Sequence, residues 1–64
     1  MRYEIRVDGI LSDEDRAAFA GMRIIELPPQ MIIDGEVADE SHLHGIIAQL
    51  DALGFSVVSV MPGA

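Results

Sequence analysis

The chain has 64 residues, no cysteine, and four basic against eleven acidic side chains, for a formal charge of −7. That balance repels phosphate backbones and anionic lipid, so neither nucleic acid nor a membrane surface is an expected partner. The missing thiols exclude disulfides, iron–sulfur clusters, thiolate zinc sites and thiol catalysis.

A domain of this size buries only about 60% of the surface its unfolded chain exposes. With no disulfide to help, self-association is the remaining common source of stability. Half of the residues are hydrophobic, which separates the chain from disordered acidic tails. The acidic surface suits a soluble cytosolic protein, and it also permits a DNA mimic or a ligand for a basic protein surface. The opening "MRYEIRV" lacks the apolar stretch of a signal peptide, and no apolar run approaches the roughly 20 residues of a membrane span. The expectation is a cytoplasmic protein that begins at Met1.

"RYEIRVD" alternates strictly, with Tyr3, Ile5 and Val7 on one side and Arg2, Glu4 and Arg6 on the other. A period of two predicts a half-buried strand. "LSDEDRAAFAG" carries the chemistry of a helix start. Ser12 can cap, Asp13, Glu14 and Asp15 suit the positive end of the dipole, and Gly21 suits the exit. The predicted helix is about eight residues long, with Phe19 as its one large core group. "MRIIEL" and "QMIIDGEV" read as two strands of a hairpin turning at Leu27–Gln30, since Pro28 and Pro29 have no N–H for a ladder. Gly35 inside the second of them predicts a bulge or a close backbone approach.

"DESHLHGIIAQLDALGF" places Leu43, Ile46, Ile47, Leu50 and Leu53 on one helical stripe. Asp39 or Ser41 can cap this helix and Gly54 ends it, with Phe55 folding back on Leu50 as in a Schellman ending. "FSVVSVM" is a last strand and "PGA" a frayed tail. The order βαββαβ, with right-handed crossovers, predicts a ferredoxin-like α+β fold over residues 1–64. Its sheet is four-stranded and antiparallel with two helices on one face. The predicted core is Ile5, Val7, Ile33, Val37, Leu43, Ile46, Ile47, Leu50 and Phe55.

The two ends, "MRYEIRVDG…LS" and "GEVADESHLHGIIAQLDALGFSVVSV", carry a resemblance. The chain resembles a group of short, uncharacterised and mostly actinobacterial proteins. They share a strand starting MRYEIRV, a D-x3-LHG helix start and a closing LG-x4-SV. The middle segment "ELPPQM" departs from their polar turn residues. The resemblance implies a one-domain cytosolic protein and no particular activity.

The residues that could carry chemistry have plainer explanations. His42 and His44 are two positions apart, about 200° around a helix, whereas a metal pair wants the i, i+4 spacing of H-E-x-x-H. Asp39, Ser41 and His44 contain the residue types of a triad, but capping accounts for the serine and the aspartate. Neither G-x4-G-K-[ST] nor G-x-G-x-x-G occurs. No metal, no cofactor and no catalytic residue is therefore expected.

Arg2, Glu4 and Arg6 share the helix-free side of their strand, and Asp34 and Glu36 share that side of its neighbour. Cross-strand arginine–carboxylate pairs follow, either as a solvated ladder or as a recognition surface. Apolar residues in both phases (Ile24 and Ile25, Ile32 and Ile33, Val57 and Val58) predict an apolar patch on the open face. It would be built from Ile32, Val58, Val60 and one of Ile24 and Ile25, and a second copy would cover it. Gly45, Ala48 and Ala52 form a small-residue strip on the long helix, a second candidate interface.

The leading expectation is a homodimeric interaction or regulatory module that binds a protein partner. The alternative is a small-ligand sensor whose site lies at the turn "DGILSDED", where Gly9 permits close approach. The least favoured is an enzyme whose site forms only across an oligomer.

Overall fold

A computed structural model describes residues 1–63. Four strands form one sheet: β1 (Arg2–Asp8), β2 (Arg23–Leu27), β3 (Gln30–Glu36) and β4 (Ser56–Pro62). Between β1 and β2 lies α1 (Asp13–Arg16), continued by a 3-10 turn over Ala17–Phe19; between β3 and β4 lies α2 (Glu40–Ala52). The order across the sheet is β2-β3-β1-β4, and every neighbouring pair is antiparallel. The fold is an α+β arrangement of a four-stranded antiparallel sheet and two helices, with β2 and β4 at its free edges.

The alternation read in β1 sets the two sides of the sheet. Ile5 opposes Ile33 and Val7 opposes Met31, and all four are fully buried. Leu43, Ile46 and Leu50 of α2, together with Leu11, Phe19 and Val37, close over them as one continuous core. Ile47 and Phe55 pack against this core while staying half-buried. Leu53 falls outside it at 39% exposure, because it is the C-cap of α2 and no longer holds the helical stripe. Met31 and Leu11, which the expected core omitted, are buried.

Local chemistry explains the ends of the helices. The Ser12 side chain accepts from the Asp15 N–H, and three acids occupy the first turn of α1. The α-helical part is only four residues before it tightens into the 3-10 turn, shorter than the regular helix expected. Asp39 caps α2 by accepting from the His42 N–H at 2.9 Å. At the other end the Phe55 N–H reaches the Leu50 carbonyl and the Gly54 N–H the Asp51 carbonyl, both at 3.0 Å, which is the Schellman pattern.

Gly35 resolves into the close approach rather than the bulge. A Cβ there would lie 3.3 Å from the Met22 Cα, and the β1–β3 register runs through it without a shift. The bulge lies in β4 instead, opposite the step from Arg6 to Val7. The closing segment is also more ordered than a frayed tail. Pro62 belongs to β4 and the Gly63 N–H donates to the Arg2 carbonyl at 2.7 Å; Ala64 lies outside the described residues.

Candidate functional site

The side of the sheet away from the helices gathers most of the residues singled out above. Across it run Arg23, Asp34, Glu4 and Met61 in one row, and Ile25, Ile32, Arg6 and Ser59 in the next. Asp34 is its centre. Its Oδ2 accepts from Arg2 at 2.9 Å and from Arg23 at 3.0 Å, and the residue is only 8% exposed. The hydrogen bond from Arg23 holds the carboxyl below its ordinary value; burial opposes this shift, and the bond and charge of Arg2 reinforce it. Glu4 stands directly opposite Asp34, so the two guanidiniums offset an unfavourable like-charge pair.

The expected arginine–carboxylate ladder is therefore only partly formed. Arg2 opposes Glu36 in the register but reaches diagonally to Asp34, and Glu36 is met by the amino terminus at 3.3 Å. Arg6 donates to the Gln30 Oε1 at 3.4 Å rather than to a carboxylate, and Gln30 in turn donates to Asp8 at 2.9 Å. Arg23, which the sequence reading did not place here, is the second clamp on Asp34. The signal was available in the hairpin register, which sets Arg23 opposite Asp34.

The continuous apolar patch expected on this face does not form. Val60 opposes Ile5 and turns toward the helices, because the bulge reverses the alternation of β4 from that point on. Ile24 joins the helix side as well, opposite Ile33, and leaves Ile25 on the open side. Ile32 does face the open side but is itself buried. Exposed Ile25, Leu27 and Met61 remain at the two edges, separated by the charged columns of β3 and β1.

Of the small-residue strip on α2, one member borders a groove. Ala48 lies with His44, Ile47, Asp51 and Val57 along an open groove of about 500 Å³ between α2 and β4. Gly45 and Ala52 are exposed on the same helix. The groove borders the free edge of β4, where Val58 is 49% exposed. β4 carries no charged side chain, whereas β2 at the opposite edge carries Arg23 and Glu26, the latter ion-paired with Arg16.

The histidines part company as their spacing requires. His44 lines that groove, and His42 lies by a smaller cleft of about 160 Å³ beside Phe19, Met22, Glu36 and Ile46. His42 also completes the cap of α2, its Nδ1 accepting from the Ala38 N–H at 2.9 Å. Asp39 and His42 thus hold the helix start. Among the described residues no three His, Asp or Glu side chains converge in a way that would hold a metal ion. No helix among them is long and apolar enough to cross a membrane.

The turn after β1 is occupied from within. Gly9 has φ +107°, and a Cβ there would lie 2.8 Å from the Phe55 ring. The space that Gly9 leaves is thus filled by Phe55, so a ligand at this turn would have to displace the ring.

These features define a small α+β domain with a clamped carboxylate on its sheet and a groove beside an uncharged edge. The chain belongs to the family described as a domain of unknown function, DUF8691, whose model matches residues 2–61. No curated protein and no solved structure gives a significant match.

Proposed function

We propose that this chain is a non-enzymatic interaction or regulatory module that works as a homodimer in the cytoplasm, on a ferredoxin-like βαββαβ scaffold. The strand order, with β1 and β3 central and one helix after each, supports that topology. The bacterial, mostly actinobacterial character suggested by the MRYEIRV and D-x3-LHG segments belongs to the same reading.

One observation carries the functional part. A chain of charge −7 keeps one sheet edge free of charge and sets an apolar-floored groove against it. Exposed edges are normally guarded by charged residues or proline, because their unpaired backbone groups recruit other strands. Here β4 keeps two such guards, its bulge and the terminal Pro62, but lacks charge, which leaves it less guarded than β2 and supports a partner at this edge.

A small-ligand sensor with its site at the β1–α1 turn is less favoured, since Phe55 occupies that space. An enzyme assembled across an oligomer would need reactive side chains at the interface, and the groove offers only His44 and Asp51.

Linkage tests the dimer. A protein that dimerises only when folded melts higher at higher concentration. The expected result is a Tm that rises by about several degrees across a hundredfold concentration series. A Tm independent of concentration, together with a shift on adding a small metabolite, would favour the sensor.

A further inference from the structure

The groove residues of α2 have a symmetry that identifies their occupant. His44, Ile47, Ala48 and Asp51 stand at i, i+3, i+4 and i+7, so they share one face of the helix. The polar pair lies outside the apolar pair, and both pairs are centred on the same point, midway between Ile47 and Ala48. A two-fold axis through that point runs a second α2 antiparallel to the first. It sets His44 opposite the partner's Asp51 and Ile47 opposite the partner's Ala48, each twice. A surface that is complementary to itself in this way fits a second copy of the chain.

The adjoining strand accepts the same operation. An axis perpendicular to the sheet and near the middle of β4 pairs β4 antiparallel with its own copy. Next to the axis such pairing places residues of the same sheet face opposite one another. The bulge at Val58 puts the two ends of β4 out of phase, so the match does not extend along the whole strand, but no charge opposes a like charge, because β4 has none. The edge at β2 has no such freedom. Arg23 and the Arg16–Glu26 ion pair lie along it, and Pro28 follows it. A standard interface covers about 800 Å² per partner. That is about a fifth of this chain's 3885 Å² surface.

We propose that β4 and the His44–Asp51 flank of α2 form one interface with a second copy, joining two sheets into a single eight-stranded sheet. The two α2 flanks then fill the grooves and close over Val57. This rests on the homodimer proposed above and names its surface.

The absence of native cysteine makes single-cysteine crosslinking clean. Val58→Cys and Ser59→Cys, near the axis, are oxidised at micromolar concentration beside Ile25→Cys on the opposite edge. A covalent dimer from at least one β4 variant, with Ile25→Cys monomeric, is the expected result. A wild-type dimer in which only Ile25→Cys crosslinks overturns the interface and leaves the dimer standing. A wild type that stays monomeric overturns both.

The helix flank is read separately. His44→Asp, which sets two carboxylates face to face, should weaken the dimer about tenfold, and adding Asp51→His should restore most of the loss. No loss with His44→Asp, or loss without restoration, removes the helix flank from the interface.

Discussion

Val57 and Val60 stand three positions apart on β4, yet both face the helices, opposite Val7 and Ile5. In a regular strand that separation would put them on opposite faces. The bulge between them absorbs one residue and leaves Val58 exposed at the edge of the sheet.

This inversion gives the first prediction. Val60→Asp should destabilise the fold by about 2–4 kcal/mol, since it forces a carboxylate against the apolar core. Val58→Asp should cost the monomer less than about 1 kcal/mol. Urea unfolding at low protein concentration measures both. A larger cost at Val58 than at Val60 would mean that the bulge is misplaced.

α2 supplies the second. Leu50 is fully buried in the core, and truncating it to alanine should cost about 2–5 kcal/mol, a large part of the stability of so small a domain. Leu53→Ala, beyond the buried stripe, should cost under about 1 kcal/mol. Thermal melts that rank the two in the reverse order would show the wrong face of α2 against the core.

The Asp34 clamp makes stability depend on pH. Its carboxyl is held below the usual value of 3.8 in the folded state, chiefly by the Arg23 hydrogen bond. The folded state therefore favours the ionised form. The resulting stabilisation is fully present above the unfolded value and is lost as pH falls through the lower folded value. Asp34→Asn should flatten this acid limb of the stability profile, and Arg23→Gln should flatten it in part. An acid limb unchanged by Asp34→Asn would show that the clamp contributes nothing.

The cap of α2 should respond to Asp39→Ala with a loss of about 1 kcal/mol. His42→Ala, which leaves the Ala38 N–H to water, should lose less than about 1 kcal/mol. Chemical denaturation of the two single variants and the double variant measures both. Fully additive losses would show that Asp39 and His42 hold the helix start independently.

What the sequence made legible follows from how local each feature is. The alternation of β1, the stripe Leu43–Ile46–Leu50, the Ser12 and Asp39 caps and the Gly54–Phe55 ending are each written within a few residues. They are read from period and capping chemistry alone. The turn of Val60 toward the core is not written that way. A bulge is settled by pairing with β1, and no glycine or proline marks it at Val58. The Arg23–Asp34 bond likewise joins residues eleven positions apart through the hairpin register. Val60 joins an apolar open face only in a regular β4, and the bulge removes it from that face. The groove depends on how α2 lies over β4, and its residues are scattered in the sequence among the helical stripe (Ile47), the small-residue strip (Ala48) and the last strand (Val57).

Light scattering coupled to size exclusion at micromolar concentration addresses the self-associating module most directly. The account predicts twice the 6.9 kDa chain mass for the wild type, falling toward one chain in His44→Asp. A wild type that elutes at a single chain mass across that range would contradict it.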